Sequence, residues 1–197
     1  YETIDLSLDD EENYYKLISG IYGVFEEDTA QLMGTILKEI EKNNICGDYL
    51  ELGTMLGKSS CFIGFYAKKF NRKLYTIDDW RFEALYPSFI LNRNMRGLEE
   101  VVEPIKGDTI DIYHRWGTHH SKFSFLFIDA GHEFGEVLKD YSFWKSKLSK
   151  GGCVFFHDYD KNSDPGVVKC IDEVVKKDPQ FEEVAASSRA IVFRRNV

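Results

Sequence analysis

An open α/β sheet of seven strands, five parallel and the last two an antiparallel hairpin, with helices on both faces, is the fold class this sequence predicts. Three observations carry the prediction. From about residue 47, short apolar runs alternate with longer helical patterns, the mark of a doubly wound parallel sheet. Phe123-Ser-Phe-Leu-Phe-Ile128 is almost continuously apolar, as a central strand buried on both faces must be. Near the end, Phe181-Glu-Glu-Val-Ala185 and Ala190-Ile-Val-Phe193 flank only a short polar turn, Ser187-Ser188-Arg189, and two strands that close can pair only as a hairpin.

Taken in order, residues 1–45 form an N-terminal helical cap to a core of residues 46–197, the two making one domain. An amphipathic helix is expected from Thr29 to Asn43, with Leu32, Ile36, Leu37 and Ile40 on one stripe and Asp28 as its cap. The aromatics before it, Tyr14, Tyr15, Tyr22 and Phe25, fit either a lid over a ligand or packing against the sheet. The parallel strands are read as Asp48 to Leu52, Lys73 to Asp78, Val101 to Lys106, Phe123 to Asp129 and Cys153 to His157. Between and after them lie helices near 58–70, 84–99, 109–117, 133–149 and 166–177. No internal repeat, low-complexity segment or Pro/Gly-rich linker interrupts the chain.

The run Tyr49-Leu-Glu51-Leu-Gly53-Thr-Met-Leu-Gly57-Lys58-Ser59-Ser60 joins the first strand to its helix through a glycine turn led by a carboxylate. Gly53 can take positive φ, Gly57 lets the backbone approach a ligand, and the helix start offers free N–H groups and a positive dipole end. Spacing excludes two phosphate sites. A P-loop needs glycine where Leu52 stands, and the dinucleotide fingerprint needs one where Glu51 stands, whose charge would repel a pyrophosphate. Glu-x-Gly-x-x-x-Gly resembles instead the first motif of the class I S-adenosylmethionine-dependent methyltransferases, whose cofactor has a cationic sulfonium and no phosphate. Five parallel strands closed by a hairpin are likewise similar to the Rossmann-like seven-stranded methyltransferase sheet.

In open α/β sheets ligands bind beyond the carboxyl ends of the strands, and here those ends are acidic: Glu51, Asp78 with Asp79, Asp129, Asp158, and Asp108 two residues past the third strand. So many carboxylates on one rim need a cation, hydrogen bonds or raised pKa values to offset their repulsion. Asp78 is placed to accept from ribose hydroxyls, and helix capping is its bland alternative. Asp108, in Lys106-Gly-Asp-Thr109, resembles the family position that accepts from the adenine amino group and could equally cap the next helix. Ser59 and the two glycines complete the expected cofactor contacts. Trp80 either borders the adenosine or belongs to the core.

Phe127-Ile-Asp129-Ala-Gly-His132-Glu-Phe134, Trp144, Leu148-Ser-Lys-Gly151-Gly152 and Phe155-Phe-His157-Asp158-Tyr159 form the most specific pattern. Together they resemble the macrocin-type sugar O-methyltransferases, over about residues 47 to 160. The resemblance implies Mg²⁺ held by Asp129 and Asp158, His132 as general base, and a small hydroxylated acceptor such as a sugar or glycosylated metabolite. The chemistry is consistent, because a sugar hydroxyl needs a base, a cation that stabilises the alkoxide, or both. One departure bears on the metal. Metal-dependent relatives often place two adjacent acid or amide groups after the fifth strand, and here His157 and Tyr159 flank Asp158. His157 could be a second base, a ligand or a packed neutral imidazole. His119-His120 reads as a solvated pair, and Arg81, Arg93 and Arg96 as a solvated helix face near the acceptor entrance rather than an anion selector.

With 197 residues and 43% hydrophobic content the chain can bury one large core. Its four cysteines show no C-x-x-C spacing, which points to reduced structural thiols and a cytoplasmic setting. No membrane-span or signal-peptide pattern is present, and the chain opens on Tyr1 rather than methionine, as a piece of a longer protein would. A net charge of −8 disfavours nucleic acid and anionic membranes as partners. The oligomeric state, a homo-oligomer included, stays open. Two other readings compete: a noncatalytic nucleoside-binding scaffold or regulatory module with the same sheet, and a nicotinamide-dependent oxidoreductase, which Glu51 and the terminal hairpin disfavour.

Overall fold

The computed structural model describes residues 10–116 and 122–197. The sheet has seven strands: β1 Asp48–Leu52, β2 Leu74–Asp78, β3 Val102–Lys106, β4 Phe123–Ile128, β5 Leu148–Phe156, β6 Phe181–Ala186 and β7 Ile191–Arg195. They lie in the order β3-β2-β1-β4-β5-β7-β6. Pairing is parallel from β3 across to β5, and β7 is antiparallel to both β5 and β6, as the terminal hairpin requires. The order reverses between β1 and β4, so the connections after these strands diverge and leave a crevice at their carboxyl ends.

Alternate side chains of each central strand feed two cores, one on each face. Tyr49, Phe125 and Phe127 pack with α1 Asp10–Ile18, α2 Glu27–Lys42 and α3 Lys58–Lys69. Leu50, Leu126 and Ile128 pack with α5 Thr109–Trp116, α6 Phe134–Trp144 and α7 Pro165–Glu173. Phe125 and Leu126 are essentially inaccessible to solvent, and burial of each contributes roughly 1.5–3 kcal/mol. The remaining helix, α4 Leu85–Asn94, contributes Phe89 to the first core.

The sequence expectations differ from this structure in four places. α2 begins at Glu27, and Asp28 lies inside its first turn, where its carboxylate holds the backbone N–H and hydroxyl of Ser188 instead of capping. α1 was not expected; its nine residues are too few to show a long stripe, and two of its buried positions, Glu11 and Asn13, are polar. α6 ends at Trp144 and β5 already starts at Leu148, because Leu148 pairs with Phe123 ahead of the two glycines. Arg93 and Arg96 are not a solvated face: Arg93 donates to the Val102 carbonyl and Arg96 to those of Leu17 and Asn92. His119-His120 lies outside the described residues. Cys61, Cys153 and Cys170 are buried free thiols, Cys46 is an exposed one, and no described helix is long and apolar enough to cross a membrane.

Candidate active site

The crevice at the strand reversal opens into a cavity of about 870 Å³. Its floor is the turn from Gly53 to Ser59. Gly53 has φ +87°, and a Cβ there would stand 2.1 Å from the Asp129 carbonyl oxygen, so only glycine lets β1 and β4 end side by side. Gly57, at φ +82°, serves as the N-cap of α3, and a Cβ would strike the Phe89 ring at 2.6 Å. Asp78 fixes the turn from the next strand. Its Oδ2 accepts the N–H groups of Thr54 and Met55 at 2.7 and 2.8 Å, and its Oδ1 that of Trp80 at 2.7 Å. Trp80 is core: it is 1% exposed, and its indole N–H donates to the Met55 carbonyl.

Glu51 lies beneath this floor, fully buried, and does not line the cavity. Ser59 donates to its Oε1 at 2.6 Å, and Ser60 and Thr54 donate to Oε2. Burial pushes its carboxyl up to about 8 against the effect of the two serine bonds, with Asp129 and Asp78 adding to the rise. Asp108 lines the cavity, and its Oδ1 accepts from the N–H groups of Ile110 and Asp111 as the cap of α5. Beside it Asp140, an acid that no sequence pattern marked, lines the wall with Thr109 donating to it. Burial raises its carboxyl to about 6.

At the other end of the cavity the ends of β4 and β5 bring Asp129, His132 and Asp158 together. One ligand atom from each lies within 4.8 Å of the others, the one group of this kind among the described residues. Asp158 sits at φ 57°, a left-handed conformation that aspartate tolerates better than most residues and that turns the chain at the strand end. His132 Nε2 is 4.0 Å from Asp129 Oδ1 and 2.9 Å from Asp158 Oδ2. The Asp129 and Asp158 carboxylates raise this imidazole to about 10, so it carries a proton at neutral pH. His157 is not a packed neutral ring. Its Nε2 faces Glu26 Oε2 at 3.1 Å, and its Nδ1 faces Asp158 Oδ1 at 3.2 Å and Asp129 Oδ1 at 3.4 Å. Burial alone would lower its pKa, but bonds to Asp129, Asp158 and Glu26 outweigh it and carry the ring to about 12. Burial also opposes ionisation of Asp158, yet its bonds from His132 and His157 hold the carboxyl well below the usual range.

Arg189 completes the cluster, and the sequence pattern did not single it out. Its Nη2 donates to Asp158 Oδ1 and, at 2.9 Å, to Asp164 Oδ2, while Nε stands 3.8 Å from Glu26 Oε1. A signal existed in the pairing register. Phe156 lies opposite Ile191, so a residue two places before Ile191 must fall beside one two places after Phe156, and these are Arg189 and Asp158. Glu26, from the segment before α2, had no such signal. That segment lines the cavity with Tyr22, Gly23 and Val24, and Lys58 Nζ donates to the Gly23 carbonyl at 2.9 Å. Of the N-terminal aromatics, Tyr14 and Phe25 pack in the core, as one of the two expectations has it, while Tyr22 lines the cavity.

The spacing of Asp129, His132 and Asp158 would admit a cation, but the donors fit Mg²⁺ poorly. Magnesium takes six oxygen ligands in near-octahedral array, and the two acids expected to hold it, Asp129 and Asp158, stand among imidazole and guanidinium donors. Both oxygens of Asp158 already accept from His132, His157 and Arg189, and Asp129 Oδ1 faces the His157 ring. The carboxylate repulsion expected along the rim is therefore met by hydrogen bonds and by the chain's own cations.

Comparison with known proteins agrees with this architecture. Residues 50–159 match a family described as a methyltransferase domain. No curated protein matches the chain. Among solved structures, the O-methyltransferase TomG from Streptomyces achromogenes, in complex with S-adenosylmethionine, is similar with a TM-score of 0.66 at 14% identity, covering 96% of this chain and 90% of that one. The O-methyltransferase from Bacillus cereus, in complex with S-adenosylhomocysteine, gives 0.65 at 13% identity, covering 94% and 90%. The O-methyltransferase NovP gives 0.64 at 16%, covering 89% and 84%. At these identities the likeness is one of fold.

Proposed function

Because the chain belongs to the methyltransferase domain family, through residues 50–159, we propose that it moves a methyl group from S-adenosylmethionine to a hydroxyl oxygen of a small acceptor, a sugar or glycosylated metabolite. One observation carries the proposal: a single cavity joins the glycine turn to the Asp129, His132 and Asp158 cluster. S-adenosylmethionine supplies an electrophilic methyl group on a sulfonium. As the new O–CH₃ bond forms, the S–CH₃ electron pair stays with sulfur, and the hydroxyl proton must leave the acceptor.

Gly53 and Gly57 allow close approach of the backbone, and Ser59 lines the cavity above Glu51, which holds the turn from below. Asp78 keeps the turn in place and is assigned the ribose hydroxyls. Asp108 is assigned the adenine amino group, for which its capping role leaves lone pairs on the same carboxylate. His132 is assigned the general base, with Asp129 and Asp158 orienting it. Because the same carboxylates favour its protonated form, it must shed that proton before it can accept the acceptor's, and turnover should rise with pH. Much of the rate would come from holding donor and acceptor in line. No step is routed through magnesium.

Calorimetric titration with S-adenosylhomocysteine tests this reading. Micromolar binding supports it and opens acceptor screening, beginning with sugars. Folded, ligand-free protein that does not bind the nucleoside would return the weight to a noncatalytic module.

A further inference from the structure

We propose that Arg189, as a built-in cation, together with the His157 ring that faces both carboxylates, occupies the place a divalent metal ion takes in metal-dependent relatives, so that the Asp129 and Asp158 pair does not recruit one. The inference rests on the methyltransferase reading only for its consequence, a transfer that needs no metal. The occupancy of the carboxylates stands independently of it.

The argument is one of committed atoms. Asp158 Oδ1 accepts from Arg189 Nη2 and lies 3.2 Å from His157 Nδ1, and Oδ2 lies 2.9 Å from His132 Nε2. Asp129 Oδ1, the atom nearest the pair, faces the same His157 nitrogen at 3.4 Å. An ion bound about 2.1 Å from these oxygens would have to evict donors that already hold them. Neither group is free to swing aside. His157 is enclosed, its side chain only 2% exposed, with a carboxylate at each ring nitrogen. Arg189 is carried on a turn whose carbonyl accepts the Tyr159 N–H at 2.9 Å, and the Nη2 that holds Asp158 also donates to Asp164 Oδ2 at 2.9 Å. A guanidinium stays charged at any working pH, so this cation cannot be switched off by titration. It also lines the cavity, where it can face the charge that develops on an acceptor oxygen.

The departure after the fifth strand then gains a physical meaning. Where relatives often place two adjacent acid or amide groups, His157 and Tyr159 flank Asp158 here, and the opposing hairpin adds Arg189. Arg189 and His157 hold Oδ1 and His132 holds Oδ2, so both oxygens that a bound ion would need from Asp158 are engaged.

The test is Mn²⁺ binding to the EDTA-treated chain, followed by electron paramagnetic resonance, with and without S-adenosylhomocysteine. The wild type should bind no stoichiometric Mn²⁺ at about 1 mM. Arg189→Met, which removes the charge and keeps much of the bulk, should bind Mn²⁺ at least about tenfold more tightly, and Arg189→Lys should resemble the wild type. Circular dichroism checks that each variant is folded. One tightly bound Mn²⁺ per wild-type chain, lost in Asp158→Asn, would overturn the proposal, and so would a folded Arg189→Met that binds no more tightly than wild type. Calorimetry with S-adenosylhomocysteine in EDTA runs in parallel. Its failure would remove the methyltransferase reading and leave the metal result standing.

Discussion

At the residue scale, each acid on the strand-end rim is offset in its own way, and each way makes a different prediction. Glu51 is offset by burial and hydroxyls. Its folded pKa of about 8 lies above the ordinary 4.5, so its contribution to stability is fully present below 4.5 and is lost as pH rises through 8. Glu51→Gln cannot ionise and should gain on the wild type by about 1–3 kcal/mol between about pH 6 and about pH 9, read from urea denaturation at the two pH values. A difference independent of pH would mean that Glu51 is already charged at neutrality. His132 stands at the reacting end, and His132→Ala should lower turnover by about 10²–10⁴-fold while S-adenosylhomocysteine affinity stays within a few fold. Unchanged turnover removes the base role. Asp129, His132 and Asp158 were legible because the strand ends are legible and the residues are local to them. Glu26 and Arg189 come from segments 131 and 31 positions away from their partners, and only the three-dimensional pairing brings them in.

At the element scale, the junction of β1, β4 and α3 controls the cavity floor. Gly53→Ala would force a Cβ to within 2.1 Å of the Asp129 carbonyl oxygen and add the strain of φ +87°. A loss of at least about 2 kcal/mol in denaturation, with weaker S-adenosylhomocysteine binding, is expected. Retained stability and affinity would show that the two strands can part without cost. The elements were most legible where periodicity is long and unbroken, as in β4 and α2. They were least legible where a short segment is held by tertiary contacts, as in α1, and where polar and glycine residues open a strand, as in β5. At those glycines the ladder to β4 breaks with a register shift, from Leu148 opposite Phe123 to Cys153 opposite Phe125, so no alternation marks the start of the strand.

At the scale of the whole molecule, the N-terminal helices and the sheet share one core, so the cap is structural as well as a wall of the cavity. Tyr14 stacks on Phe65 at 4.9 Å and meets Tyr66 edge-on at 5.1 Å. Tyr14→Ala should cost about 3–5 kcal/mol and blunt the cooperativity of unfolding, which chemical denaturation followed at two wavelengths would reveal. A loss below about 1 kcal/mol would mean that α1 is only appended. Strand order and sheet direction were open to prediction because connection rules leave few alternatives. How the cap docks was not, since its aromatics suit a lid and a core equally until their partners on α3 are known.

The antiparallel register of β5 and β7 makes the terminal hairpin a measuring rod. Cys153 to Phe156 count upward as Arg194 to Ile191 count downward, and Arg189 is delivered to Asp158 by that count alone. The length of the turn between β6 and β7 is therefore as constrained as the identity of Arg189 within it. A single glycine inserted between Arg189 and Ala190 would leave both strands and both cores intact and carry the guanidinium off its mark. In an engineered or drifting copy of this chain, a one-residue change in loop length would be a sharper sign of altered chemistry than many substitutions in the cavity itself.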